Sequence, residues 1–198
     1  MNSVVSQTKS SGRSNVRLPG EPGVWVVIFG DLLLFGVFFF TFMYYRAGRM
    51  EQFSASHTQM NRDIGITNTL LLLTASLAVV AGVHAYRAGA LRAADRSLRI
   101  AILAGLGFLV LKSVEYGQKI SESLVPNTNE YFLLYYCFTG VHFFHVIVGV
   151  AILFYMKRLV DQPSNDPRTR LVVESGALFW HMVDLLWIVL FALFYMVG

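Results

Sequence analysis

The chain has 198 residues, of which 55% are hydrophobic and only 14% charged, and its mean hydropathy is +0.54. Soluble domains carry about a quarter charged residues, so this composition excludes a globular enzyme with a water-facing surface and indicates a polytopic membrane protein. The formal net charge is +4, but the basic residues lie in short loops between apolar runs and read as topology signals, so no nucleic-acid partner is expected. A single cysteine, Cys137, leaves no internal disulfide and no cysteine-only metal site.

Residues 1–20 read as a disordered cytoplasmic tail, and 21–198 as one membrane domain. The tail is rich in serine and lacks acids before Glu21, a composition shared faintly with organellar transit peptides. It has no basic region, short apolar core and cleavage site of the secretory kind. Five apolar segments follow, at 24–44, 66–85, 98–116, 131–156 and 177–197. Each is near the ~20 residues that a spanning helix needs. No strand-like alternation punctuated by turns is present, which argues against a barrel. Linkers at 46–63, 87–96, 122–130 and 157–170 hold the charges and the prolines Pro126, Pro163 and Pro167. The expected fold is an all-α bundle of five transmembrane helices.

Lysine and arginine set the orientation. One side carries Lys9, Arg13, Arg17, Arg87, Arg92, Arg96, Arg99, Lys157, Arg158, Arg168 and Arg170; the other has Arg46, Arg49, Arg62 and Lys119. The positive-inside rule then puts the N-terminus in the cytoplasm and the C-terminus outside.

Several ionisable residues fall inside the apolar runs. Such groups cost roughly 2.5–3.5 kcal/mol each on insertion scales, so they normally face a protein interior. Glu174, His181 and Asp184 are seven and three residues apart, near one helix face. Lys112 and Glu115 share a face, as do His142 and His145. These groups on the last three spans are expected to converge in one buried layer, with Lys112 paired to Glu115 or to Asp184. Asp31 stands as an unpaired acid in the first span, either a proton-accepting carboxyl or one close enough to the cytoplasmic edge to stay wet. Ala78 with Gly82, and Ala101 with Gly105, give faces on which helices can approach closely.

A haem or copper centre needs imidazoles aimed at one point. His142 and His145 lie on one span and His181 on another, so a haem bridged between those spans is geometrically conceivable. The plainer reading bonds these histidines to helix neighbours or lipid headgroups. Catalytic triads, phosphate loops and zinc-protease spacings are absent, and Gly105-Leu106-Gly107 lacks the remainder of a dinucleotide turn.

The closing run from Glu174 through Trp180-His181-Met182-Val183-Asp184 to Trp187 closely resembles the end of subunit III of haem-copper cytochrome c and quinol oxidases, where a glutamate precedes Trp-His-Phe-Val-Asp and a further Trp. Thr139-Gly140-Val141-His142-Phe143-Phe144-His145-Val146 is similar to that family's Thr-Gly-Phe-His-Gly-Leu-His-Val. Glu115-Tyr116, Asn68-Thr69-Leu70 and Gly30-Asp31-Leu32 fall in the same order as its remaining signatures. The likeness covers 19–198 and matches the five-helix bacterial form; Phe143 departs from the usual glycine. The loop at 126–130 and the chain length are similar to the subunit III-like proteins of bacterial nitric oxide reductase.

The resemblance implies a non-catalytic helper of a respiratory complex in the bacterial plasma membrane. It would carry no cofactor of its own beyond structural phospholipids. Haem and copper would reside in the partner, either oxidase subunits I and II or a nitric oxide reductase catalytic subunit. Asp31 would occupy the place of the family's carbodiimide-reactive, proton-uptake carboxyl. Lys112 joins Glu115, His142, His145, Glu174, His181 and Asp184 as the buried polar and lipid-contact set. A small proton-coupled transporter and a b-haem electron carrier remain the alternative classes.

Overall fold

A computed structural model of the chain describes residues 20–162 and 167–196. The expected tail lies almost wholly outside these residues. Helix α1 spans Pro22–Gly48, with proline in its first turn, where the backbone needs no donor. A short helix α2, Met50–His57, follows within the first linker. Helix α3, Arg62–Arg87, starts where the Asn61 side chain accepts from the backbone N–H of Asp63 at 3.1 Å and of Ile64 at 3.3 Å. Helix α4, Leu91–Ser121, begins after a tight turn containing Gly89 at φ 74°. Helix α5 is Glu130–Asp161, capped by Asn129, and α6 is Pro167–Phe191. The described chain closes with a π turn, Ala192–Met196. Five of these helices are long and apolar enough to cross a membrane, and no strand occurs among the described residues.

The spans are longer than the apolar segments. Helix α4 starts at Leu91 instead of 98 and runs to Ser121 instead of 116; α6 starts at Pro167 instead of 177. Arginine and glutamate are good helix formers. The charges of Arg92, Arg96, Arg168 and Glu174 therefore end the hydrocarbon-compatible stretch without ending the helix.

The long helices pack as a ring in the order α1, α5, α4, α3, α6 and back to α1, with α5 also against α6. The α3–α4 pair is the most extensively packed, and Ala78 on α3 and Ala101 on α4 are both buried. Gly82 lies against Ser97 and Leu98 of α4. Gly105 serves a different contact: a Cβ there would lie 2.9 Å from Trp180 Cη2 and from Val150 Cγ2. At Gly149 a Cβ would lie 3.0 Å from Trp180 Cε3. The indole of Trp180 on α6 thus fills a slot made by missing side chains on α4 and α5.

Polar contacts tie both ends of the bundle. At the basic end, Arg87 Nη2 of α3 meets Glu174 Oε1 of α6 at 2.8 Å. There, too, Lys157 of α5 joins Asp95 of α4 at 3.2 Å. At the other end, Arg49 pairs with Glu130, Gln52 Nε2 donates to Glu130 Oε2 at 3.2 Å, and Asn129 Nδ2 donates to Ser56 Oγ at 2.9 Å. Phe53 of α2 is fully buried edge-on between Phe42 and Tyr131. The first linker therefore closes one mouth of the bundle.

Candidate functional site

Lys112 and Glu115 sit one turn apart on α4 and are both buried. Lys112 Nζ donates to Glu115 Oε2 at 3.0 Å, to Tyr135 Oη of α5 at 2.9 Å and to Tyr195 Oη of the π turn at 3.0 Å. The two phenols in turn donate to Glu115 Oε1, at 2.8 Å from Tyr135 and 2.5 Å from Tyr195. All three ammonium donors are used, and both carboxylate oxygens are occupied. The ammonium also lies 4.8 Å from the Tyr135 ring centroid and 5.1 Å from that of Trp187. Gly65 of α3 permits this closure, since a Cβ there would lie 2.7 Å from the Tyr195 ring. The pairing is with Glu115 and not with Asp184, the other candidate.

Asp31 is not unpaired. Its Oδ1 lies 3.3 Å from His145 Nε2 across the α1–α5 seam, and both side chains are largely buried. His145 Nδ1 lies 2.8 Å from the Val141 carbonyl, which can only accept, so Nδ1 carries a hydrogen. A hydrogen bond between Nε2 and Asp31 then needs one further proton, held by the carboxyl or by the ring. The contact gives the acid a hydrogen-bonding partner on a neighbouring helix, which lowers the cost of holding it at this depth. The Phe35 ring stands edge-on to both His145 and His142.

His142 is wholly buried, tilted against Trp187 at 5.3 Å and edge-on to Phe108 at 5.8 Å. Neither of its ring nitrogens has a partner among the described residues, nor has the buried amide of Asn68. Trp187 Nε1 donates to Thr69 Oγ1 of α3 at 3.0 Å.

The polar residues of α6 do not join the Lys112 cluster in a single layer. Glu174 pairs with Arg87, and His181 Nδ1 lies 2.7 Å from Ser76 Oγ, both partners being on α3. Asp184 is buried, with Oδ1 unpartnered among the described residues. The single layer fails because α6 meets α3 and α5 on different faces, so the stripe of 174, 181 and 184 turns toward α3. His142 and His181 consequently address different neighbours, an arrangement that does not suit a haem bridged between them. Among the described residues no group of three or more His, Cys, Asp or Glu gathers to hold a metal ion.

Tyr135, Tyr195, Ser76 and Arg87 belong to these contacts, although sequence reasoning does not single them out. One signal points toward the phenols: a buried lysine has three donors, Glu115 satisfies one, and two further acceptors are therefore owed from other helices.

Five apolar spans, with ionisable side chains neutralised in pairs between helices, define a multi-pass membrane protein of the helix-bundle class. Residues 5–198 match the family model for cytochrome c oxidase subunit III, and the chain belongs to that family. It is similar to cytochrome bo(3) ubiquinol oxidase subunit 3 of Buchnera aphidicola, 27% identical over 89% of this chain and 85% of that one. Likewise it is similar to quinol oxidase subunit 3 of Bacillus subtilis, 23% identical over 100% of this chain and 94% of its relative. Cytochrome c oxidase subunit 3 of Prototheca wickerhamii is 30% identical, covering 89% and 68% respectively.

Proposed function

We propose that the chain is the third, non-catalytic subunit of a respiratory haem-copper oxidase in a bacterial plasma membrane, with its N-terminus cytoplasmic. The family match carries this reading. The polar groups support it: Lys112 with Glu115, Asp31 with His145 and Arg87 with Glu174 are each spent on one another. They serve packing and proton holding, with no common reaction centre. In this reading haem and copper belong to subunits I and II, structural phospholipids cover the apolar perimeter, and the chain stabilises subunit I. Asp31 with His145 is the proton-holding site on the uptake side.

Purification in mild detergent from native membranes tests the proposal. A large haem-copper oxidase subunit should copurify in stoichiometric amount. Recovery with a nitric oxide reductase catalytic subunit would reassign the partner. Recovery of the chain alone, conducting protons in liposomes, would favour the transporter reading.

The substitution Asp31→Asn should leave assembly intact, because the amide still reaches His145. It should lower the oxidase's proton uptake and shorten its lifetime during turnover several-fold. Uptake and inactivation rates equal to those of the unmodified complex would remove Asp31 from that role.

A further inference from the structure

Lipid-facing surfaces of the bundle carry polar side chains at several points, and most of them are satisfied within the chain. Thr41, Thr74 and Ser113 each donate to the carbonyl four residues back on their own helix. Asp31 and His145 hold each other. The seam between α3 and α6 is different. There half-buried His181 uses Nδ1 on Ser76, and its Nε2 has no partner among the described residues. Asp184, one turn further along α6, has its carboxyl hydrogen-bonded to the same Ser76 and leaves Oδ1 without a partner among the described residues.

Depth narrows what could satisfy the imidazole. The Arg87–Glu174 ion pair marks the polar rim of this seam. His181 lies seven residues beyond Glu174, about 10 Å along the helix, and Ser76 eleven residues from Arg87, about 16 Å. That places the pair well inside a hydrocarbon layer of about 30 Å, below the reach of phospholipid headgroups, and acyl chains offer no hydrogen bond. Around it the seam is apolar and open: Leu73 is 42% exposed, Leu77 71%, Leu185 51% and Ile188 43%. A polar centre with an apolar surround is how transmembrane helices recognise one another. The outer face of α1 gives the contrast. Its exposed Phe29, Leu33, Val37 and Phe40 present no polar group that acyl chains would leave unsatisfied.

We infer that the α3–α6 seam is the docking surface for a transmembrane helix of the catalytic partner subunit, which brings a hydrogen-bonding side chain to His181 Nε2. The inference rests on the oxidase reading and names the face by which the two subunits meet. His181 acts as the polar key of the interface, held in orientation by Ser76, while Leu77 and Leu185 supply the packing.

Photo-crosslinking in the intact complex tests it. A benzophenone amino acid is placed at Leu77 or Leu185 on the seam, or at Leu33 or Phe40 on the outer face of α1, and native membranes are irradiated. The seam positions should give adducts with a transmembrane segment of the catalytic subunit, and the α1 positions adducts with lipid. In a second arm, His181→Leu should cut the seam adducts at least several-fold while the chain keeps its thermal midpoint, and His181→Gln should restore them. If the catalytic subunit copurifies but is reached only from α1, or the seam labels only lipid or a second copy of this chain, the docking face is overturned and the family reading stands. If no oxidase subunit accompanies the chain at all, the reading beneath it falls instead.

Discussion

Lys112→Met lowers stability by about 3–5 kcal/mol, the cost of leaving one partner of a buried ion pair uncompensated. For a chain of this size that corresponds to a drop of roughly 10 °C in thermal midpoint. The reason is the closed arrangement around the ammonium. With it gone, the Glu115 carboxylate keeps its two phenol donors but loses its counter-charge, and Tyr135 and Tyr195 lose their shared donor. Paired replacement, Lys112→Met with Glu115→Leu, removes both charges and should regain most of the loss, since apolar substitutes for a buried pair are often neutral. Thermal unfolding in detergent, followed by size-exclusion recovery, measures both. A single variant as stable as the parent, or a double variant no better than the single, would show that this network does not hold α4 to α5 and the π turn.

Trp180→Ala should cost about 3–5 kcal/mol, as large aromatic deletions in cores do. The indole is 1% exposed and occupies the slot that Gly105 and Gly149 leave open. The converse change, Gly105→Ala, should cost about 1–3 kcal/mol, because the new methyl meets Trp180 and Val150 with no free volume to enter. The two changes share one slot, so they should not add: Gly105→Ala should cost less once Trp180 is alanine, with only the Val150 contact left to relieve. A double-mutant cycle on unfolding midpoints decides this. Strict additivity would mean that the methyl and the indole do not compete for the same space.

Much of the architecture is legible in the apolar segments alone. All five spans can be read there, because a run of about 20 consecutive apolar residues is the length a bilayer demands and far more than a soluble core element uses. The helix ends at Leu91, Ser121 and Pro167 are not legible in the same way: hydropathy registers the hydrocarbon boundary, whereas the backbone follows helix propensity past it. Helix α2 escapes sequence reading since eight residues show too little periodicity to be recognised. The Lys112–Glu115 pair is readable because both partners share a face of one helix. Asp31 with His145, and His181 with Ser76, are not, because each joins residues more than a hundred positions apart. Pairing of that kind depends on which helices neighbour each other, and no spacing rule within one segment contains that information.

The intrahelical geometry of the Lys112–Glu115 pair also bears on how the protein is made. Tyr135 and Tyr195 follow α4 in the chain, on elements that reach the bilayer after it. A cation and an anion one turn apart on the same rod reach the lipid as a ready-neutralised dipole, and no chaperoning neighbour is required at that moment. Later arrivals then lock an arrangement that insertion has already tolerated.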